Sequence, residues 1–539
     1  MPLTFNAKTG DFVIVSADKK KADEVGLTLS TSARGPNGEP VWFTKTPYAA
    51  LAYFKEADEK AKQRLSHLQK DYEWSWAVDW PTSYPVPQGL EPRAFQRAGV
   101  AYARAHRNCL IGDEPGLGKS GQAIGVSNAE KLEKNLIICP ASIRLNWQKE
   151  IKKWSTIPGV RTHPILKASD GVSSWSNYEI VSYELTRNEA LHAALCDVKW
   201  DSIVIDEAHY LKTPDAERTR AIFGGGRKNM FNKSNVLADR ADRIIALTGT
   251  PLPNRPRECF TLAKALYHES VDWMHFEDFT YRFNPAGRLE NKDTGAIYNR
   301  EEKGRLPELQ ARLRCNFMIR RLKQDVLKDL PDKQYEFSFI EPDGAIREVL
   351  RREKMLHFDL KDLKNPMAEI WGEISTIRRE MGMAKLPRAI EHIKYLMDIE
   401  ELPKLVVFSH HKSVMDEFKK QMAEYGVVEV RGGMSSGAKN SAVERFISDP
   451  DCRIFHGQLE AAGFGIDGLQ KVCQRVVFVE AAWTPGTNEQ AVDRCHRIGQ
   501  KDSVLAQFLV VEGSLDERVL ATVLEKTKTI HASLDKGIR

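Results

Sequence analysis

The chain has 539 residues, 42% apolar and 28% charged, enough for more than one buried core at roughly 150 residues per domain. That size and a mean hydropathy of −0.44 exclude a small disulfide scaffold, a disordered chain and a bundle of membrane spans. Lysine and arginine number 79 against 74 acids, a net charge of +5, which by itself names no partner.

Residues 1–88 alternate apolar and polar positions near Phe12-Val13-Ile14-Val15 and Val41-Trp42-Phe43-Thr44. A helical pattern then runs from just after Pro47 to about Tyr72, so this piece reads as a small appended α+β domain. Its Trp42, Phe43, Tyr48, Tyr53 and Phe54, interleaved with Lys45 and Lys55, form either a surface that stacks on unpaired bases or, as their spacing favours, a core. Trp80-Pro81, Pro85-Val86-Pro87 and Pro92 make a proline-punctuated connector.

From Lys134 onward, short β-branched runs recur between helical patterns: 136–138, 203–205, 244–247, 405–408 and 476–479. Strands this apolar are covered on both faces, and their alternation with helices predicts an α/β fold of doubly wound parallel sheets. The runs fall into two groups, so two lobes are expected, 89–335 and 336–539, the second preceded by a helical connector. In such sheets ligands sit at the C-terminal ends of the strands.

Three motifs carry chemistry. Asp113-Glu114-Pro115-Gly116-Leu117-Gly118-Lys119-Ser120 closes as a phosphate-binding loop ahead of a helix, with Asp113 where the strict pattern has glycine. Backbone N–H groups there meet phosphate oxygens, Lys119 meets the β- and γ-phosphates, and the Ser120 hydroxyl holds Mg²⁺. The strand 202–205 ends in Asp206-Glu207-Ala208-His209, where Asp206 supports Mg²⁺ and Glu207 is placed to deprotonate an attacking water. The strand 244–247 ends in Thr248-Gly249-Thr250-Pro251, small hydroxyl residues suited to sensing the γ-phosphate. Far downstream, Gln490, Arg494 and Arg497 have the spacing of one helix face. They read as a solvated basic face or as arginines delivered to developing phosphoryl charge.

Between the second and third motifs, residues 217–243 hold seven basic side chains, Arg227, Lys228 and Lys233 among them, against three acids, around Gly224-Gly225-Gly226. A mobile basic loop that meets a phosphate backbone, at Arg227 and Lys228, is one reading and a solvated charged loop the other. The eight cysteines are scattered, with no Cys-x-x-Cys pair and no zinc spacing, so reduced thiols and no zinc are expected. The first 21 residues lack a signal-peptide run and no apolar stretch of about 18 residues follows; a cytoplasmic address without a membrane partner is expected.

The ordered set of motifs resembles the Swi/Snf-type ATPases, double-stranded DNA translocases of the larger helicase class. Phe95-Gln96 after Leu90 is similar to the adenine-reading glutamine motif, and the family's own phosphate loop also carries Asp-Glu. Cys139-Pro140-Ala141-Ser142 with Trp147, Val181-Ser182-Tyr183-Glu184 and Met318-Ile319-Arg320-Arg321 continue the series in the first lobe. Val407-Phe408-Ser409-His410, Ala462-Gly463-Phe464-Gly465-Ile466, Trp483-Thr484-Pro485-Gly486 and Gln490 to Gln500 continue it in the second. Asp467-Gly468 stands where Asn-Leu is more usual and Thr484 where asparagine is. Arg320-Arg321-Leu322-Lys323 and Leu330-Pro331 resemble the annealing-helicase branch.

The resemblance implies two RecA-like lobes with ATP and Mg²⁺ between them. Gln96, Asp113, Glu114, Gly116, Gly118, Lys119, Ser120, Gly465 and Gln490 would bind nucleotide, and Lys119, Asp206, Glu207, Arg494 and Arg497 would be catalytic. Thr248, Gly249 and Thr250 would couple hydrolysis to movement. Ser142, Trp147, Ser182, Tyr183, Ser409, His410 and Trp483 would touch duplex or branched DNA. The expected function is an ATP-dependent DNA translocase, a monomeric motor, in repair, replication, recombination or remodelling of protein-DNA complexes. A bacterial or viral setting is favoured, since the compact chain shows no chromatin-reading module. A strand-separating or RNA-dependent helicase and a nucleotide-gated DNA clamp are the alternatives.

Overall fold

The computed structural model describes residues 2–224, 236–253, 255–271, 274–283, 287–290, 297–300, 305–355, 368–462, 466–521, 523 and 534–535, without the side chains of 287–300, 368–371 and 462. It divides into two compact units. One comprises 1–114, 118–326 and 528–539, the other 115–117 and 327–527.

The first unit opens with an antiparallel sheet of β1 (Thr4–Asn6), β2 (Asp11–Val15), β3 (Thr28–Arg34) and β4 (Pro40–Thr44), in the order β1-β2-β4-β3. Alternation in β2 buries Phe12 and Ile14, which meet Trp42, Tyr53 and the buried side of helix Glu59–Trp74. Asp58 caps that helix by accepting from the Ala61 N–H at 2.7 Å, satisfying one of the donors a helix start leaves free. Trp42 and Tyr53 are therefore core. This core is shared: Ala311 and Cys315 of helix Leu306–Asn316 lie in it, and the Tyr72 hydroxyl donates to Gln310 Oε1 at 2.9 Å.

The main sheet of this unit holds β5 (Asn108–Ile111), β6 (Asn135–Cys139), β7 (Thr162–Pro164), β8 (Tyr178–Ser182), β9 (Ser202–Asp206), β10 (Ile244–Leu247) and, after the hairpin β11 (Gly287–Glu290) and β12 (Ile297–Arg300), β13 (Met318–Ile319). Its order is β13-β5-β10-β9-β6-β8-β7, and all pairs are parallel. The strands are buried along nearly their whole length, as sheets covered on both faces require. β5, β10 and β9 are neighbours, so the phosphate loop, the Thr-Gly-Thr turn and the Asp-Glu pair leave the sheet side by side.

The second unit is a parallel sheet of β14 (Lys333–Ile340), β15 (Leu405–Ser409), β16 (Val427–Val430), β17 (Ile454–Gln458), β18 (Arg475–Phe478) and β19 (Val504–Val511), ordered β14-β19-β18-β15-β17-β16. The boundary expected at 335/336 needs correcting, because it cuts β14. That strand pairs along its whole length with β19, so the second unit begins before it. Among the described residues no helix is long and apolar enough to cross a membrane.

Candidate active site

The phosphate loop runs from β5 into helix Lys119–Glu130. Gly116 and Gly118 have φ of 87° and 75°, a left-handed conformation open to glycine and costly for side chains. A Cβ at Gly118 would also lie 2.4 Å from Gln96 Nε2, so the glutamine lies against the loop. The Lys119 ammonium donates to the carbonyls of Asp113 at 2.8 Å and Glu114 at 3.3 Å. Burial lowers its pKa, opposed by the carboxylates of Glu207, Asp113 and Asp206.

Asp113 has another task than nucleotide contact. It is fully buried, accepts from Arg321 Nε at 2.7 Å and the Arg321 backbone N–H at 3.0 Å, pairs with Arg321 Nη2, and accepts from Gln122 Nε2 at 2.9 Å. Both oxygens are engaged, so its carboxylate ties the loop to the segment after β13. Glu114 Oε2 does the same by accepting from the Lys323 N–H at 2.5 Å.

Asp206 and Glu207 follow β9. Asp206 Oδ2 accepts from Trp147 Nε1 at 2.8 Å and Oδ1 from the Glu207 N–H at 2.9 Å. The Tyr183 hydroxyl donates to the Asp206 carbonyl at 2.6 Å. Burial and then the Glu207 charge push Asp206 up to about 6, against the Trp147 hydrogen bond. Glu207 itself has φ 53° and ψ 50°, a left-handed conformation that non-glycine residues seldom hold outside functional sites. Its Oε2 lies 3.3 Å from His209 Nδ1, and that nitrogen lies 2.9 Å from Thr248 Oγ1 and 3.4 Å from Thr250 Oγ1. A polar chain thus links Glu207 through His209 to the Thr-Gly-Thr turn, and Arg320 Nη1 joins that turn to the phosphate loop by donating to Gly249 O at 3.1 Å and Gly112 O at 2.6 Å. The carboxylates of Glu207 and Asp206 act on the partly buried Lys119 ammonium, and with the Ser120 hydroxyl, next in the chain to Lys119, they are oxygen donors of the kind a hard divalent cation takes.

In the second unit, Gln490 is buried on helix Pro485–Val492. The one-face helix expected for Gln490, Arg494 and Arg497 is corrected: the helix stops at Val492, and both arginines follow in turns. The turns keep local backbone bonds, such as the His496 N–H to Val492 O at 3.1 Å, and side-chain bonds add to them, with the His496 ring 2.8 Å from Pro331 O and Gln500 Nε2 donating to Cys473 O at 2.9 Å and Cys495 O at 3.1 Å. The two guanidinium groups nevertheless converge. Arg494 and Arg497 donate to Ile466 O at 3.0 and 3.4 Å, and Arg497 also donates to Asp467 Oδ1 at 2.8 Å.

A family model described as the SNF2-related domain matches residues 49–392, well over half of the chain. The chain belongs to the SNF2-related family. A second model, the helicase conserved C-terminal domain, matches residues 388–499 of this SNF2-related chain, and the protein is an ATP-hydrolysing enzyme of that family. The Bos taurus DNA annealing helicase and endonuclease ZRANB3 is 31% identical over 458 residues, 82% of this chain and 40% of its own length. A Caenorhabditis elegans homologue of the SWI/SNF-related matrix-associated actin-dependent regulator of chromatin subfamily A-like protein 1 is 30% identical over 453 residues, 80% of this chain and 60% of its own. This SNF2-related chain thus spans about half the length of those relatives. A solved Sulfolobus solfataricus SWI2/SNF2 ATPase core in complex with dsDNA aligns over 85% of this chain and 99% of its own, at 20% identity and a TM-score of 0.38.

Several residues expected at DNA do other work in this SNF2-related fold. Trp147, Tyr183, Ser182 and Ser409 are buried. Trp147 and Tyr183 hold Asp206, while Ser409 Oγ lies 2.8 Å from His456 Nε2; none presents its side chain to a strand. Ser142 is half-buried in the turn Ala141–Ile143. His410 is half-buried with its N–H donated to Glu480 Oε2 at 2.9 Å. Trp483 is half-buried with the Arg378 guanidinium 5.0 Å from its ring. Arg227, Lys228 and Gly465 lie outside the described residues. The motif reading assigned no role to His209, and Gln122 went unnoticed. His209 is the fourth residue of the Asp-Glu-Ala-His run, a signal that was legible, whereas nothing local marks Gln122.

Proposed function

We propose that this SNF2-related ATPase couples ATP hydrolysis to movement along duplex or branched DNA. The chain from Glu207 through His209 to Thr248 and Thr250 carries the reading, because it joins the group that would accept a proton from the attacking water to the turn that would register the γ-phosphate. The likeness to relatives named as DNA annealing helicases supports DNA as the track.

In this reading Gln96 meets the adenine, and the loop N–H groups with Lys119 bind the phosphates. Ser120 and Asp206 hold Mg²⁺, which when bound neutralises phosphate charge. Glu207 takes the water proton as the water oxygen attacks the γ-phosphorus and ADP leaves. Trp147 keeps Asp206 oriented, and Arg494 and Arg497 stabilise the charge that develops on the transferred phosphoryl group.

The test is steady-state ATP hydrolysis without nucleic acid and with duplex, single-stranded, forked DNA or RNA, with Lys119→Ala as control. Stimulation by duplex or forked DNA that the control lacks is the expected result. Stimulation by RNA alone would favour an RNA-dependent helicase, and turnover that no nucleic acid raises would favour a nucleotide-gated clamp.

A further inference from the structure

Beneath the phosphate loop lie two buried guanidinium groups whose partners come from a distant part of the sequence. Arg314 donates through Nε and Nη2 to the Leu534 carbonyl at 3.1 and 2.8 Å, and through Nη1 to the carbonyls of Ser75 and Arg320 at 3.1 and 3.2 Å. Burial pushes it down to about 9. Leu534 itself is fully buried in the apolar core of the first unit. Next to it, Asp535 accepts from Arg320 Nε at 2.7 Å and Nη2 at 3.4 Å, a two-point pair in which both side chains are 5% exposed.

Arg320 is the residue whose remaining nitrogen, Nη1, spans Gly112 O and Gly249 O. Those carbonyls sit just beyond the ends of adjacent strands β5 and β10, where the phosphate loop and the Thr-Gly-Thr turn begin. Burial alone would lower the Arg320 pKa; Asp535 first, with Glu114 and Asp113, raises it overall. Planar guanidinium geometry makes these bonds interdependent, since the fork that meets the carboxylate fixes the direction of the third nitrogen.

We propose that Asp535 is a positioning residue of the ATP site: seated by the buried Leu534, its carboxylate orients and neutralises Arg320, and Arg320 sets the phosphate loop and the coupling turn relative to each other. This rests on the assignment of Lys119 and its loop to ATP. Asp535 touches no nucleotide; it acts through Arg320.

The experiment compares Asp535→Asn, Asp535→Glu, Leu534→Ala and Lys119→Ala in the full chain, reading KM for ATP, kcat and melting temperature. Losing a charged hydrogen-bond partner predicts a KM for Asp535→Asn raised about 10-fold, with kcat within about twofold of the parent. Asp535→Glu should recover most of that rise. Leu534→Ala, which keeps the carboxylate and the carbonyl but opens a cavity, should lower the melting temperature while leaving KM near the parent value. A KM for Asp535→Asn within about twofold of the parent, while Lys119→Ala is inactive, overturns the proposal. So does a rise in KM that runs in parallel with a fall in melting temperature in both Asp535→Asn and Leu534→Ala, which marks a purely structural plug. Full turnover in Lys119→Ala is the separate result that would sink the ATP-site assignment, and this proposal with it.

Discussion

The candidate site groups of the two units are held in different ways, although buried charges bonded from several sides, such as Glu480, occur in the second unit too. In the first, Asp113 and Arg320 are buried and Asp206 is partly buried, and each is held by two or more hydrogen bonds to groups of its own unit. In the second, Arg497 is held by one carbonyl at 3.4 Å and by Asp467, whose side chain is 68% exposed. Buried groups bonded from several sides are preorganised and cost little to bring to reaction, whereas a guanidinium on an exposed carboxylate can change partner cheaply. The contrast assigns a fixed cradle to one unit and a retargetable arginine to the other.

The strongest way to break that contrast is Arg497→Ala. If this arginine moves onto developing phosphoryl charge, kcat should fall by about 10³ with ATP binding retained, read by turnover and by titration of a fluorescent ATP analogue. Near-normal turnover would strip Arg497 of that role.

Next in size is Asp113→Ala, which leaves the Arg321 guanidinium buried without its partner. Removing one member of a buried pair typically costs about 3–5 kcal/mol, so the first unit should melt earlier even without nucleotide, seen as faster hydrogen exchange in β5 and β13. A loss of ATP affinity with unchanged stability would instead return Asp113 to the nucleotide.

A third prediction concerns the second unit's own buried polar pair. Burial pushes His456 down to about 3, so the ring stays neutral in the folded chain while the unfolded chain takes up a proton below about 6.5. Its contribution is complete above that pH and is lost at about 1.4 kcal/mol per pH unit as the pH falls toward the folded value. The free energy of unfolding of the second unit, read by urea denaturation, should therefore fall between about pH 6 and about pH 4, inside the window set by those two values, and His456→Gln should flatten the trend. The smallest expected effect belongs to Asp467→Asn, which weakens the hold on Arg497 and should change kcat/KM for ATP by only about two- to fivefold, upward, as suits an exposed pair. A decrease would mean that Asp467 positions the arginine productively.

Much of this was legible in the chain itself. Apolar runs ending in Asp206-Glu207 and Thr248-Gly249-Thr250 predicted parallel strands, and β9 and β10 bear that out, whereas β5 ahead of the phosphate loop was not among the expected runs. The arginines were legible as residues but not as a helix, because the turns after Val492 are set by bonds to Pro331 and Cys473 that no local pattern encodes. Trp147, placed at DNA by the resemblance, is buried in helix Arg144–Trp154 and donates to the Asp206 carboxylate, and no local pattern marks that burial.

By itself the sequence determined the candidate side chains and, for Asp206 and Thr248, which strand each one follows, since both depend on hydropathy period and turn residues within a few positions. Only the tertiary structure decided what holds them. Arg321 meets Asp113 across 208 positions, Trp147 meets Asp206 across 59, and Asp535 meets Arg320 across 215. Such pairings follow from strand order, with β13 laid beside β5 and β10 beside β9, and from the need of a buried charge for a partner wherever the folded chain can supply one.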